Sequence, residues 1–268
     1  MKWLVVLILC YSVVCRAEMP KVYLTSLEWP PYSGANLPEN GYSVAIAREA
    51  FLAMGYALEV EFHPWPRAIA KVAKSEQFVG YFPEYEFATQ EYVFSTSLGS
   101  GPLGFVENIN KPIGWKSLRD IIPFRVGVVQ DYINTPELDA MIAAQQLYVE
   151  QSANDLLNIY LVAKGRLDIA VIDANVLAYL VEADPKADFL RQRVKMNEKL
   201  LVEKQLHIAF KNTPLGIQWR DTFNQGLAQV DRQAIIERVK RLSNKTKKLS
   251  TLSVRSACSA TSIPSSVK

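Results

Sequence analysis

Residues 161–181 read LVAKGRLDIAVIDANVLAYLV, and this stretch decides the fold. It contains the end of a helix predicted over 152–165, which stops at Gly165. An apolar run over 167–173 then predicts a buried strand, and a second helix is predicted over 174–183. A buried strand between two helices is typical of α/β layers with mostly parallel sheets.

Strands and helices alternate along the rest of the chain as well. In the first series, strands are predicted over 21–27, 57–62, 77–82 and 102–107, and helices over 41–55 and 66–75. The second series adds strands over 124–129 and 146–150, a helix over 135–145, and a final strand over 204–211 followed by two helices. We therefore predict two α/β lobes, residues 18–108 plus 204–243 and residues 109–203, with a hinge and a ligand cleft between them.

The two ends of the chain differ from this body. Residues 1–17 carry Lys2, an apolar run over 3–14 and small residues before a cut after Ala17. This layout predicts a cleaved secretory signal peptide and hence a periplasmic protein, and a short membrane anchor is the alternative. The last segment, 244–268, is rich in Ser, Thr and Lys without periodic apolar residues, and it is predicted to be a disordered basic tail.

The formal net charge of +3 comes from the two ends. They carry seven basic residues and no acidic ones, so residues 18–243 hold 23 basic and 27 acidic residues. Binding to a nucleic-acid backbone needs a basic surface. The acidic body therefore argues against nucleic acid as a partner.

Six motifs, in order, resemble the family 3 bacterial extracellular solute-binding proteins, which have the two-lobed type II periplasmic-binding-protein fold. They are LTSLEWPPYSG, GYSVAIAREAFLAMGY, the helix opening WPRA, FSTSLGSGPLGFV, RVGVVQDYINTPEL and the stretch over 161–181. The last motif is the most specific, because it is close to the family's Gly-Arg-x-Asp-Ala-x-x-x-Asp pattern. Together the motifs span about residues 21–242.

The resemblance implies a function in ligand capture. Proteins of this family bind an amino acid or a similar small polar solute between two lobes, close by a hinge motion and deliver the solute to an ABC importer. It implies a monomer without cofactor or metal, with an ABC permease of the inner membrane as its partner. Two alternatives stay open: an enzyme on the same fold that acts on a small carboxylic or amino acid, such as a dehydratase, and a stand-alone ligand sensor.

Two tryptophans stand where the family places aromatic side chains that stack on the ligand. Trp29 follows the first predicted strand, and Trp65 precedes the second predicted helix. A flat ring can cover an apolar or a cationic ligand group, and packing within the lobe is the alternative. Glu28 and Tyr32 flank Trp29 and are weaker candidates for ligand binding.

The second lobe offers an acid and a loop. Asp173 ends the strand predicted over 167–173, where the family has an acid that takes the ligand's ammonium group. A carboxylate there can accept charge-assisted hydrogen bonds, and an N-cap of the next helix is the alternative role. Asp131 and Tyr132 follow the first strand of this lobe and are further candidates. The family usually has Gly-Thr and an anion site there, so this replacement weakens anion binding.

The family's carboxylate-binding arginine is missing from this chain. Residues 81–95 read YFPEYEFATQEYVFS, and no Lys or Arg occurs between Lys74 and Lys111. Tyr81 and Glu84 lie at the start of this aromatic and acidic stretch and are candidates for ligand binding. The lack of a cation there argues against a standard amino-acid ligand.

Arg67, in the first turn of the second predicted helix, is the nearest substitute for that positive charge, or else a solvated surface residue. If Arg67 acts, it would clamp a ligand carboxylate while Asp173 holds the amine. Otherwise the ligand is cationic or neutral, as a polyamine or a quaternary amine would be. Aromatic rings and the acids Glu28, Glu84 and Asp173 would then hold it.

Overall fold

The computed structural model describes residues 18–259, with side chains up to residue 246, so the predicted signal peptide lies outside the described residues. The strands are β1 (Lys21–Ser26), β2 (Ala57–Phe62), β3 (Phe78–Glu84), β4 (Tyr92–Phe94), β5 (Gly99–Asn108), β6 (Arg125–Val129), β7 (Tyr148–Ser152), β8 (Ile169–Asp173), β9 (Val194–Met196) and β10 (Val202–Lys211). The α-helices are α1 (Tyr42–Ala53), α2 (Trp65–Lys74), α3 (Pro136–Ala143), α4 (Asp155–Ala163), α5 (Ala174–Ala183), α6 (Ala187–Arg191), α7 (Pro214–Leu227) and α8 (Arg232–Ser259).

The strands form one continuous, curled sheet that extends through both lobes. In the first lobe the strand order is β2-β1-β3-β10, with β4 also paired to β10, and β1 is parallel to both β2 and β3. In the second lobe the order is β10-β5-β8-β6-β7, with β9 paired to β5, and β6 is parallel to both β7 and β8. This architecture confirms the predicted two-lobed α/β fold.

The strand β10 runs from one lobe into the other. Its residues 202–206 pair with β5 in the second sheet, and the residues after them pair with β3 and β4 in the first sheet. The strand β5 pairs with β10, β8 and β9. The chain has therefore already crossed to the second sheet when β5 begins, which is earlier than the crossing predicted near residue 108.

Capping side chains begin α3 and α4 of the second lobe, as the sequence pattern predicted for α3. The Thr135 side chain accepts a hydrogen bond from the backbone N–H of Leu138, and Pro136 occupies the first helical position. Asn154 accepts in the same way from the backbone N–H of Leu157 at the start of α4. These caps hold the loops after β6 and β7 at one edge of the second sheet.

The last helix is longer than predicted. The helix α8 extends to Ser259, so most of the segment over 244–268 that was predicted to be a disordered tail is helical. No Gly or Pro occurs between residues 232 and 259, so neither of the two strongest helix breakers interrupts the backbone. The rest of the predicted tail lies outside the described residues. Within the part of the chain that the structure describes, no helix has both the length and the apolar character needed to cross a membrane.

Candidate functional site

A cavity lies between the two lobes, where the parallel strands of both sheets end. The cavity is open on one side, and its volume together with the open solvent at its mouth is ≈ 280 Å³. The first lobe contributes the ends of β1 and β3 and the start of α2, and the second lobe contributes the loop after β6. The lining residues are Leu27, Trp29, Trp65, Pro83, Glu84, Tyr85, Tyr132 and Ile133. Four of the sequence candidates are thus brought together, namely Trp29, Trp65, Glu84 and Tyr132.

Four of the eight residues that line the cavity are aromatic. The ring centroids of Trp65 and Tyr132, which come from different lobes, are 6.3 Å apart with an interplanar angle of 85°. Trp29 and Tyr85 form a similar edge-to-face pair at 6.2 Å. The predicted candidate Tyr81 packs against Trp65 at 5.3 Å but is not one of the lining residues. Edge-to-face contacts suit the charge distribution of the rings and keep them in place.

Glu84 is the carboxylic acid of this lining, and it is only 5% exposed. Its Oε1 atom accepts a hydrogen bond of 2.7 Å from the backbone N–H of Tyr85. Burial raises the pKa of Glu84 to about 8, and the Tyr85 N–H and the charge of Lys204 only partly oppose that rise. Glu84 forms no ion pair with any side chain that the structure describes.

Asp155, the first residue of α4, supports the wall from behind. It is 5% exposed, and its Oδ2 atom accepts a hydrogen bond of 3.4 Å from the Tyr132 hydroxyl. Burial, followed by the charge of Asp173, raises the pKa of Asp155 to about 7. The Asp155 carboxyl group therefore holds the Tyr132 ring in its orientation. It also lies close enough to Asp173 for the two acids to affect each other's charge.

Two polar groups of the lining have no hydrogen-bond partner among the described residues. They are the hydroxyl of Tyr85 and the indole N–H of Trp29, and both are buried. The Trp29 N–H is close enough to Asp155 to oppose the rise in its pKa, but it does not reach hydrogen-bonding geometry. Buried polar groups in native proteins are nearly always paired, so these two groups indicate where a ligand supplies partners.

Beside the cavity, Tyr32 of the first lobe is hydrogen-bonded to Asp173 of the second. The Tyr32 hydroxyl lies 3.2 Å from each Asp173 carboxylate oxygen, and the side-chain amide of Asn175 donates to the Tyr32 oxygen at 2.8 Å. We call Tyr32, Asp173 and Asn175 the latch. Asp173 also caps α5, because it accepts from the backbone N–H groups of Asn175 and Val176. Asp173 thus caps a helix, the alternative that the sequence left open, and also faces the other lobe.

The hinge strand β5 leaves room for the latch through a glycine. A Cβ atom at Gly101 would lie 1.9 Å from Asp173 Oδ2 and 2.4 Å from the Tyr32 hydroxyl. At Gly99, on the same strand, a Cβ atom would meet nothing within 4 Å. The close approach of the two lobes therefore requires a glycine at position 101.

Lys204, on β10, brings a positive charge close to the site. Its Nζ atom lies over the Tyr85 ring, 4.7 Å from the centroid. Burial lowers the pKa of Lys204, while Asp139 and Glu84 oppose that shift. Lys204 thus packs against the outer side of a lining residue and is not itself part of the lining.

Besides Tyr81, Tyr32 and Asp173, three further sequence candidates lie outside the cavity lining, and all three are exposed. Glu28 is exposed, and its Oε1 atom accepts from the backbone N–H of Ala35 at 2.9 Å. Arg67 and Asp131 are also exposed, and Asp131 has a left-handed φ of 61°. A clamp of Arg67 on a ligand carboxylate is therefore not assembled in this structure, because α2 begins at the cavity with Trp65 and turns Arg67 towards solvent.

Sequence reasoning missed Tyr85, Asp155 and Lys204 as site residues. Tyr85 had a usable signal, because it directly follows Glu84 at the end of a strand. Asp155 follows a helix cap, which by itself indicates only a helix start. Lys204 gave no local signal, since its place depends on the pairing of β10. The described residues contain no cluster of three or more His, Cys, Asp and Glu side chains suited to a metal ion.

No family model matches the chain, and no curated protein matches its sequence. Solved structures do match over most of its length. A histidine kinase sensor domain described as similar to periplasmic binding proteins has a TM-score of 0.69 at 15% identity, over 83% of this chain and 95% of that one. An arginine-bound substrate-binding protein of an amino acid ABC transporter from Streptococcus pneumoniae has a TM-score of 0.66 at 14% identity, over 83% and 95% of the chains.

A third similar structure belongs to an ancestral amino-acid-binding protein, a precursor of cyclohexadienyl dehydratase. Its TM-score is 0.62 at 16% identity, over 82% of this chain and 93% of that one. Identities this low show the fold alone. The chain has the type II periplasmic-binding-protein fold, which confirms the fold that the sequence motifs predicted.

Proposed function

We propose that this chain is an exported, periplasmic solute-binding protein. It captures a small polar solute of the amino-acid or amine class by hinge closure and delivers it to an ABC importer. The observation that carries the proposal is the cavity, whose wall comes from both lobes at the ends of their parallel strands. A solute in that cavity touches both lobes and so favours the closed state over the open one.

The connections between the lobes suit such a motion. The sheets meet through β10, and the first lobe leads into the second at β5. Apart from these strands, the latch is a small polar contact that water can replace when the lobes separate. The importer role and the monomeric state are inferred from the resemblance of the motifs, with the transporter-associated neighbour as support.

Thermal melting tests the binding function. The chain without residues 1–17 is melted alone and with amino acids, polyamines and small organic acids. A solute that binds only the native state raises the melting temperature. At a solute concentration of 100 Kd, the free energy of unfolding increases by about 2.7 kcal/mol. Trp65→Ala should remove the shift, while replacement of the exposed Arg67 by Ala should keep it. A complete panel without any shift would contradict the proposal.

An enzyme is the second candidate, because one carboxyl group in the cavity lining, Glu84, and one bonded to the lining residue Tyr132, Asp155, ionise near neutral pH. Burial raises the pKa of Glu84 to about 8 and that of Asp155 to about 7, values that suit general acid–base chemistry. The same panel followed by NMR distinguishes the two functions. Conversion of a solute, lost in Glu84→Gln, would establish the enzyme, and unchanged solutes support the binding protein. A sensor role would require a membrane partner that responds to the closed form.

A further inference from the structure

We propose that the cavity binds the ammonium group of a primary organic amine, with Glu84 and Tyr85 as its hydrogen-bond acceptors. The inference rests on the proposed function of solute capture and names the ligand class of the same site. It excludes a ligand that presents a carboxylate to this cavity.

The charge of the lining favours a cation. The side chains around the cavity are aromatic or apolar apart from Glu84. The faces of Trp and Tyr rings carry partial negative charge and attract an ammonium group. A ligand carboxylate would instead meet the acid Glu84 and the ring faces. Arg67 lies outside the lining and is exposed, so it does not compensate for that repulsion.

The free acceptors of the lining favour an ammonium group that carries hydrogens. Glu84 uses Oε1 for the Tyr85 backbone N–H, and its Oε2 atom has no partner among the described residues. The Tyr85 hydroxyl is buried without a partner in the same wall. A primary ammonium group has three donors and can satisfy both oxygens. A quaternary ammonium group has none, so it would leave the Tyr85 hydroxyl unpaired.

Binding of an ammonium group should also release a proton. Without a ligand, the buried carboxyl of Glu84 faces the N–H of the next residue, Tyr85, and Lys204 from β10. Glu84 also lies opposite His207 in the register of β10. Tyr132 and, behind it, Asp155 lie across the cavity. Since the pKa of Glu84 is raised to about 8, the acid holds a proton at neutral pH. That proton must leave to solvent before Glu84 can pair with an ammonium group.

A series of four-carbon solutes tests the ligand class, because its members differ only in the end groups. Isothermal titration calorimetry is run with 1,4-diaminobutane, butylamine, 4-aminobutanoate, butanedioate and, as a quaternary probe, tetramethylammonium. We expect the two amines to bind and butanedioate and tetramethylammonium to fail. Affinity for the amines should rise about tenfold between pH 6 and 7 and about fivefold between pH 7 and 8, because the ionised fraction of Glu84 rises by those factors.

Three variants test the named acceptors. Glu84→Gln keeps the shape of the side chain and should weaken amine binding about 10- to 100-fold and remove its pH dependence. Tyr85→Phe removes only the hydroxyl and should weaken binding about 3- to 10-fold. Glu86→Gln is the matched control, because it removes the same charge from an exposed position two residues away. It should change affinity less than about twofold.

The outcomes separate this inference from the proposed function. Binding of butanedioate alone would overturn the ligand class while the solute-binding function stands. Equal binding by Glu84→Gln and the parent protein, or tighter binding of tetramethylammonium than of butylamine, would also overturn it. If no solute binds in this series or in the wider panel, the proposed function itself fails. Circular dichroism melting confirms that each variant is folded, and Tyr85→Phe keeps the test decisive if Glu84→Gln does not fold.

Discussion

At the scale of single residues, the site combines buried acids with few groups that stabilise their charge. Burial dominates at Glu84, Asp155 and Asp173, and it raises their pKa values to about 8, 7 and 6. The ordinary pKa of such groups is near 4. Between pH 4 and its own raised pKa, each of these acids in the ligand-free protein therefore holds a proton that the unfolded chain has released, and the stability of the fold must depend on pH.

The first prediction concerns this pH dependence. The folded state keeps the Glu84 proton up to about pH 8, whereas the unfolded chain releases it near pH 4.5. The stabilisation that results is complete below pH 4.5 and is lost as the pH rises through about 8. In Glu84→Gln this loss should disappear, so the variant should be more stable than the parent at pH 9, by a few kcal/mol at most.

Urea unfolding at pH 5, 7 and 9 measures the effect. Glu86→Gln serves as the control, because Glu86 is exposed and its removal should leave the pH profile unchanged. Identical profiles for Glu84→Gln and the parent would show that Glu84 is ionised and solvated in the free protein.

The latch gives a second prediction at this scale. Tyr32→Phe removes the hydroxyl that bonds to Asp173 and to the Asn175 amide. It should lower the free energy of unfolding by about 1 to 3 kcal/mol, because the hydroxyl takes part in two hydrogen bonds and each usually contributes about 1 kcal/mol. Asp173 keeps its two backbone donors at the start of α5, so the helix should remain. Urea unfolding measures the free energy, and far-UV circular dichroism measures the helix content. A large loss of helix would contradict the prediction that Asp173 caps α5 independently of its bond to Tyr32.

At the scale of elements, β5 decides how closely the lobes approach. Gly101 leaves space for Asp173 and Tyr32, and Gly99 on the same strand faces open space. Gly101→Ala should therefore separate the lobes at the latch and weaken solute binding more than tenfold, because closure would bring the new methyl group against two buried side chains. Gly99→Ala is the matched control and should bind solute like the parent. Calorimetry with the solute identified by melting compares the two variants, and equal affinities would contradict the predicted role of β5.

At the scale of the whole molecule, the proposed function requires the two lobes to move as rigid bodies about β5 and β10. Addition of a saturating solute should reduce the radius of gyration measured by small-angle X-ray scattering, because the closed state gains contacts to both lobes. Gly101→Ala should keep the larger radius under the same conditions. An unchanged radius in the parent protein, with binding proven by calorimetry, would show that the site binds without hinge closure.

Much of this molecule was predictable from the sequence by itself. The alternation of strands and helices, the helix start at Thr135 and Pro136, and the lack of a cation over 81–95 depend on residues close together in the chain. The spacing of apolar residues along the chain indicates helices and strands directly. Apolar residues recur every three to four positions in a helix and at alternate positions in a strand. The motifs also placed Trp29 and Trp65 at the same cleft, and both line the cavity.

Only the tertiary structure decided which of the remaining candidates meet. It turned Arg67 and Asp131 to solvent, brought Tyr85 into the wall and set Asp155 behind it. Tyr32 and Asp173 form a hydrogen bond although 141 positions of sequence separate them. The pairing of β8 with β5, in which Asp173 lies opposite Leu103, places the Asp173 end of this bond. Local patterns carry no information on such contacts, because a side chain's direction at the end of a strand depends on how distant strands pair and pack.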